Sequence, residues 1–253
     1  MPTAPLTGVT AFSAVSDAYV RARPTYPAAF YRALALLAPS RRIAWDCGTG
    51  NGQAAIGLAD HFEQVEATDA SAEQIAKAIS HPRVRYATAP AEASCLLPAT
   101  VDLVSVAQAA HWFDRPRFYN EVRRVSRPGA VIALYGYSWF YVSPTIDDLT
   151  QKFLLEPVAA FWSPQNALLW DGYRTIEFPF DELPPLSLAI HLSWTLEQLF
   201  AYYATWSATQ RKLAANGDGF LKSAHRVFAD AWGDPAVPRP IVMPLAIRWG
   251  RTP

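Results

Sequence analysis

The stretch that decides the fold is Asp46-Cys-Gly-Thr-Gly-Asn-Gly52, in which three glycines alternate with other residues. The apolar run Ile43-Ala-Trp45 before it predicts a buried strand, and Gln53-Ala-Ala-Ile-Gly-Leu-Ala-Asp60 after it predicts a helix. A strand that turns through glycines into a helix presents bare backbone and a helix N-terminus to a ligand. The stretch therefore predicts a ligand site at the carboxyl end of a strand in an α/β sheet.

A second acidic residue predicts what kind of ligand this is. Asp69 ends the next apolar run, Gln64-Val-Glu-Ala-Thr68, twenty-three positions after Asp46. An acid about that far along the chain suits the two hydroxyls of a ribose. Together the two segments predict a nucleoside-containing cofactor across the ends of neighbouring strands.

The glycine pattern alone leaves two cofactors open. Gly50-Asn-Gly-Gln-Ala-Ala55 formally fits the G-x-G-x-x-G/A fingerprint of nicotinamide nucleotides. Asp46 argues against that class, because a carboxylate before the first glycine would repel a pyrophosphate. It would suit the ammonium and sulfonium groups of S-adenosylmethionine (AdoMet). The D-x-G-x-G-x-G arrangement resembles motif I of the class I AdoMet-dependent methyltransferases, with a nicotinamide oxidoreductase as the alternative.

The resemblance to this family, and to its type 11 members, continues in order along the chain. It implies AdoMet as the cofactor, with Asp69 on the ribose hydroxyls and Pro90-Ala-Glu92 at the adenine edge. It also implies that Gln108-Ala-Ala-His-Trp-Phe113 lies beside the methionine moiety, and Arg127-Pro-Gly129 is a frequent type 11 turn before strand 5. At Gln74 the chain departs from the methionine that many relatives carry against the adenine. The predicted cofactor-binding residues are Tyr19, Asp46, Gly48, Thr49, Gly50, Gly52, Asp69, Ala70, Gln74, Ala91, Glu92, Gln108 and Trp112.

Two segments near the ends of the chain narrow the resemblance. Tyr19-Val-Arg-Ala-Arg-Pro-Thr-Tyr-Pro27 and Thr205-Trp-Ser-Ala-Thr-Gln210 are similar to the trans-aconitate methyltransferase-like group. The group implies a carboxylate acceptor on a small acid, with a methyl ester as the product. The aromatic content, 13%, favours an apolar or ring-bearing acceptor. A phenol or amine acceptor stays open, as does an AdoMet-binding protein without turnover.

Four residues are candidates for the acceptor end of the site. His111 follows the predicted strand 4 and is either a general base for a hydroxyl or amine or a shaping residue of the pocket. Arg23 is a candidate acceptor anchor, since its fork matches a carboxylate, although most arginines are merely solvated. Trp139 and Trp206 are predicted walls of the substrate pocket, with a place in the core as the alternative for Trp206.

Composition limits the expected partners. Lys+Arg and Asp+Glu are both 22, so no basic excess favours nucleic acid or an anionic membrane, and we expect a small-molecule acceptor. Cys47 and Cys95 have no paired spacing, which predicts reduced thiols in a cytoplasmic protein. The N-terminus lacks the layout of a signal peptide. The histidines lack metal-site spacing, so no metal is expected. The oligomeric state is not predicted.

The order of apolar and helical segments predicts the fold class. We expect an α/β fold with a doubly wound, mostly parallel seven-stranded sheet, the Rossmann-like methyltransferase fold, and a C-terminal helical cap. One domain should span 1–253: an N-terminal arm or lid over 1–27, an AdoMet-binding core over 28–137, a helical cap with strand 6 over 138–240, and the last, antiparallel strand within 241–253. Thr195-Leu-Glu-Gln198 predicts a capping box, and Pro244 belongs at a strand edge or bulge.

Overall fold

The computed structural model describes residues 22–253, so Tyr19 and most of the predicted arm lie outside the described residues. The strands are β1 (Ile43–Cys47), β2 (Gln64–Asp69), β3 (Val84–Thr88), β4 (Val101–Ala107), β5 (Ser126–Tyr137), β6 (Asp181–Glu182), β7 (Ala189–Trp194) and β8 (Arg239–Arg251). The helices are α1 (Ala28–Leu37), α2 (Gln53–Ala59), α3 (Ala72–Ala76), α4 (Arg115–Val125), α5 (Pro144–Thr150), α6 (Glu156–Val158), α7 (Asn166–Trp170), α8 (Leu196–Ala204), α9 (Ser207–Asn216) and α10 (Gly219–Trp232).

The sheet has the predicted α/β topology. Its strand order is β3-β2-β1-β4-β5-β8-β6, and β7 pairs with β8. Strands β1 to β5 pair in parallel, whereas β8 is antiparallel to β5, β6 and β7. Residues 22–253 contain eight strands rather than the predicted seven, because the two-residue β6 pairs with the end of β8. The strand order reverses between β1 and β4, where open α/β sheets bind their ligands.

Helices cover both faces of the sheet, which explains why its central strands are continuous apolar runs. On one face Ala44, Leu103 and Tyr135 pack with Phe30 and Leu34 of α1. On the other face lie Trp45, Val104 and Ile132, packed with Phe118 and Val122 of α4. Alternate residues of one strand therefore enter different cores, as the period of two in a β-strand requires.

Local signals in the sequence fix several helix and strand boundaries. The capping box of α8 is present, since Thr195 Oγ1 accepts from Gln198 N at 3.3 Å and Gln198 Oε1 accepts from Thr195 N at 2.9 Å. Asp114 caps α4 by accepting from Arg117 N at 3.4 Å. Pro244 pairs with Ala189 of β7, one residue beyond the part of β8 that pairs with β5. At that point β8 has no partner on its β5 side, so the missing N–H is tolerated.

One strand boundary differs from the predictions. Strand β5 begins at Ser126, so Arg127-Pro-Gly129 lies within the strand rather than before it, and a register shift between Val101 and Leu103 accommodates it. Between α5 and α6 the chain makes a π-helical turn, Gln151–Leu155. The aromatic segment 165–185 contains the short helix α7. In the described range no helix is long and apolar enough to cross a membrane. The division into core and cap stays a prediction.

Candidate functional site

A cleft of about 390 Å³ opens at the carboxyl ends of β1, β2 and β4. Its walls come from the turns after these strands, from α3 and from the segment after β3. The predicted cofactor residues on its walls are Gly48, Thr49, Gly50, Asp69, Ala70, Gln74, Ala91, Glu92, Gln108 and Trp112. Asp46 and Gly52 are not on the wall. The topology therefore brings most of the predicted set together, and the role of each residue stays a prediction.

The three glycines of the turn have different surroundings. A Cβ on Gly50 would find only Gln74 Oε1, at 4.0 Å, so Gly50 faces the open cleft. A Cβ on Gly48 would lie 2.6 Å from the Cβ of Ala109, and one on Gly52 would overlap the hydroxyl of Tyr86. All three have positive φ angles, +71°, +57° and +91° in chain order. Only Gly50 therefore keeps free space beside the backbone, as a cradle for a ligand requires.

Asp69 ties two turns of the cleft together. Its Oδ2 accepts from Gly50 N at 2.9 Å, and its Oδ1 accepts from Ser71 N at 2.8 Å. A carboxylate oxygen has two lone pairs, so each oxygen can accept a further bond from a hydroxyl. The cleft therefore fits a ribose at Asp69 beside the exposed backbone of Gly50.

Asp46 is predicted as a cofactor residue, but it lies beneath the turn. Its side chain is fully buried, with Oδ2 accepting from Thr49 Oγ1 at 2.6 Å and Oδ1 accepting from Ser105 Oγ at 3.0 Å. The physical reason is that Asp46 still belongs to β1, and a strand side chain points to a face of the sheet. Burial raises the pKa of Asp46 to about 6, although the two hydroxyl bonds act in the opposite direction. Asp46 is therefore separated from the cleft by Thr49, which does line it.

A second cavity, of about 120 Å³, adjoins the first. Arg23, Gln108 and Tyr137 line both cavities. Four indole rings line the second cavity in a row, with centroid separations of 5.6 Å from Trp139 to Trp170, 5.3 Å from Trp170 to Trp162 and 5.8 Å from Trp162 to Trp206. The predicted wall residues Trp139 and Trp206 are both among them.

Arg23 lies where the two cavities meet. Its Nη2 donates to the carbonyl oxygen of Thr205 at 3.1 Å, and its guanidinium carbon lies 5.7 Å from the ring centroid of Tyr202. Asn166, also on the second cavity, has a buried Oδ1 without a hydrogen-bond partner in the described part of the chain. Tyr26, on the first cavity, has a buried hydroxyl that also lacks a hydrogen-bond partner among the described residues. Both oxygens are shielded from solvent, so each is a polar atom behind the wall of a cavity.

His111 and Trp112 separate onto the two cavities. Both lie in the short turn after β4, where Trp112 lines the first cavity and His111 the second. His111 is 4% exposed, and its Nδ1 lies 3.1 Å from the hydroxyl of Tyr173. Burial, with a smaller effect of Arg115, lowers the pKa of His111 to about 4. His111 is therefore neutral at pH 7. A pKa so far below the operating pH makes His111 a weak general base, because proton transfer is most efficient when the two values are close.

Sequence reasoning did not assign several site residues. Tyr26, Tyr137, Asn166, Trp170, Tyr173 and Tyr202 either line the cavities or contact His111. Five of these six residues are aromatic, and an aromatic residue in the sequence does not show whether its ring will face a cavity or the core. Within residues 22–253 no three His, Cys, Asp or Glu side chains are grouped so that they could hold a metal ion.

Comparison with known proteins gives consistent matches. The profile of a methyltransferase domain, type 11, matches residues 45–134. A Dictyostelium discoideum protein assigned as a methyltransferase is 30% identical over 225 residues, which are 87% of this chain and 86% of that protein. An Anaeromyxobacter dehalogenans structure assigned as a type II methyltransferase is 44% identical, with a TM-score of 0.85, and the match covers 90% of this chain and 97% of that one. A structure from Anabaena variabilis, assigned as a methyltransferase, shares the fold at 18% identity, a TM-score of 0.54 and coverage of 90% and 99%.

Proposed function

Because this chain belongs to the type 11 methyltransferase domain family and is an AdoMet-dependent methyltransferase, we propose that it methylates a small molecule held in the second cavity. The observation that carries this proposal is the wall that the two cavities share at Arg23, Gln108 and Tyr137. A cofactor in the larger cavity and an acceptor in the smaller one would meet there. The absence of a basic excess also supports a small acceptor over nucleic acid.

Alignment is the main work that this proposal asks of the protein. AdoMet supplies an electrophilic methyl group, and the acceptor's lone pair forms the new bond as the carbon–sulfur bond breaks and its electrons go to sulfur. Asp69 and the Gly50 backbone would hold the adenosine, and the indole rings would hold the acceptor and exclude water. Such positioning is worth several kcal/mol, up to about 7–11 in favourable cases.

We favour a carboxylate acceptor, giving a methyl ester. Arg23 offers a planar fork that matches a carboxylate, and the resemblance of its segment to the trans-aconitate methyltransferase-like group supports the same class. His111, a weak base, supports it too, because a carboxylate needs no base, whereas a phenol or amine would benefit from one.

The decisive experiment incubates the protein with cell extract and methyl-labelled AdoMet and identifies the labelled product by mass. A labelled nucleic acid or protein, with no small-molecule product, would overturn the proposal.

We expect Asp69→Ala to weaken AdoMet binding by about 1.5–3 kcal/mol, or roughly 10- to 150-fold, because it removes charge-assisted acceptors for two ribose hydroxyls. Calorimetric titration measures this effect. The control Asp60→Ala removes the same charge from the exposed end of α2, beside Arg83, and should bind like the wild type. NAD should bind far more weakly than AdoMet. Equal AdoMet affinity in both variants would remove Asp69 from the site.

We expect AdoMet binding to release protons near pH 6. The buried carboxyl of Asp46 has its pKa raised to about 6, and a cationic ligand nearby lowers that pKa. The bound state then holds fewer protons, so affinity should rise as pH rises through about 6. S-adenosylhomocysteine lacks the sulfonium charge, so its binding should release fewer protons. Calorimetry at pH 6 in two buffers of different ionisation enthalpy measures the release, which Asp46→Asn should abolish. Identical heats for the wild type would contradict this linkage.

We expect Arg23→Lys to raise the acceptor KM by about 10- to 150-fold while leaving AdoMet affinity nearly unchanged. An ammonium cannot reproduce the guanidinium fork, and a charge-assisted bond is worth about 1.5–3 kcal/mol. Steady-state kinetics with the acceptor found in the extract experiment measure this. Arg211→Lys is the matched control, since Arg211 also donates to a backbone carbonyl, that of Phe161, but lies outside both cavities. An unchanged KM would show that Arg23 does not anchor the acceptor.

A further inference from the structure

His111 and Tyr173 form a hydrogen-bonded pair at the second cavity. The Nδ1 atom of His111 lies 3.1 Å from the hydroxyl of Tyr173, and the two rings are stacked with an interplanar angle of 26°. His111 lines the cavity, whereas Tyr173 is fully buried and is not on its wall. The ring therefore has one nitrogen committed to Tyr173. In the described part of the chain its other nitrogen, Nε2, has no hydrogen-bond partner and is the atom available to the cavity.

The hydroxyl of Tyr173 determines which nitrogen of His111 carries the proton. Within residues 22–253 its only hydrogen-bond partner is His111 Nδ1. If Nδ1 carried a proton and donated it, the buried hydroxyl hydrogen of Tyr173 would have no acceptor. A buried donor without an acceptor is disfavoured by about 10- to 100-fold. Tyr173 is therefore the donor and Nδ1 the acceptor, and a neutral imidazole then carries its single proton on Nε2.

The backbone holds Tyr173 in an unusual conformation. Helix α7 ends with paired bonds from Gly172 N to Leu169 O at 2.9 Å and from Tyr173 N to Leu168 O at 2.8 Å, the Schellman arrangement. Tyr173 itself has a φ of +60°, which is rare for a bulky side chain and persists only where the surroundings enforce it. Arg248 Nη1 donates to the carbonyl oxygen of Tyr173 at 2.9 Å and fixes it from β8.

We propose that Tyr173 is a positioning residue that fixes His111 as its Nε2–H tautomer, so that His111 presents a hydrogen-bond donor, and not a base, to the acceptor. The part of this proposal that concerns the methyl acceptor rests on the proposed function of the second cavity, whereas the tautomer of His111 does not. A hydrogen-bond donor at this position favours methyl acceptors that have an oxygen or nitrogen able to accept a hydrogen bond. It disfavours methyl acceptors that must lose a proton to His111 before methylation.

The tautomer can be measured on the protein without any ligand. Long-range proton–nitrogen correlation spectra of the ¹⁵N-histidine-labelled protein at pH 7 should give a pyridine-type Nδ1 and a pyrrole-type Nε2 for His111, assigned by its loss in His111→Gln. Tyr173→Phe should remove the preference and give mixed signals. Tyr119→Phe is the matched control, because Tyr119 is also buried and donates to the carbonyl of Glu177 in the same loop. A protonated Nδ1 in the wild type overturns the proposal even if Tyr173→Phe fails to fold.

Kinetics test the role of His111 once an acceptor is known. Glutamine places a neutral N–H near the position of Nε2 but cannot act as a base. His111→Gln should therefore recover at least tenfold of the activity that His111→Ala loses. Equal loss in both variants, on the order of 10²–10⁴-fold, is the mark of a general base and contradicts the proposal. Failure of the protein to methylate any small molecule would instead contradict the proposed function, since the spectra need neither AdoMet nor acceptor.

Discussion

Gly50→Val should reduce AdoMet affinity by more than about 100-fold while the protein still folds. The valine side chain would project into the cleft, where a Cβ meets only Gln74 Oε1 at 4.0 Å, and would fill the space that the ligand needs beside the backbone. Its φ of +57° adds strain of about 1–2 kcal/mol. For a chain of this size that strain lowers Tm by roughly 2–8 °C. Calorimetric titration and thermal unfolding measure the two effects separately.

The matched control for this variant is Gly129→Val. Gly129 has a similar φ of +73°, and a Cβ there would meet nothing within 4 Å, but the residue lies outside the cleft. Both variants should therefore lose similar stability, and only Gly50→Val should lose binding. If Gly50→Val binds AdoMet like the control, then Gly50 does not contact the cofactor and the cradle is elsewhere.

Gly52→Ala should instead lower the free energy of unfolding, by about 2–4 kcal/mol, although it adds a single methyl group. The new Cβ would overlap the Tyr86 hydroxyl and lie 2.8 Å from its Cζ. Moving the ring breaks the bond from Tyr86 to the carbonyl of Ile79, 2.7 Å long, and overpacking costs typically 1–3 kcal/mol. Denaturant unfolding measures the loss. Because Gly52 is not on the cleft wall, the folded variant should still bind AdoMet at low temperature.

A double variant separates the overlap from the backbone strain. Tyr86→Ala removes the ring, so Gly52→Ala combined with Tyr86→Ala should cost less than the sum of the two single changes. Gly129→Ala reports the cost of a positive φ alone, because its Cβ enters open space. Strict additivity of the two changes would mean that Tyr86 is not what forbids a side chain at position 52.

The strand-edge position of Pro244 and the capping box of α8 are structural features that a short-range sequence pattern determines. The missing N–H of proline and the reciprocal bonds of Thr195 and Gln198 act within a few residues, so the sequence specifies them whatever the rest of the chain does. The conformation of Arg127-Pro-Gly129 depends instead on distant residues: β5 extends through the three residues, but none of them pairs with β4, whose register shifts at this point from Val101 opposite Ser126 to Leu103 opposite Val131.

By itself the sequence determined the strand–turn–helix around Gly48 to Gly52, the acid at Asp69, the parallel sheet and the family, because each is written in local spacing. Only the tertiary structure decided which glycine faces the cleft and that Asp46 lies beneath it. It also decided that Arg23, His111, Asn166 and Trp206 line the same second cavity. The physical reason is that the direction of a side chain and its free space depend on packing between residues far apart in the chain. His111 and Tyr173, 62 residues apart, meet only when the sheet and its covering helices have packed.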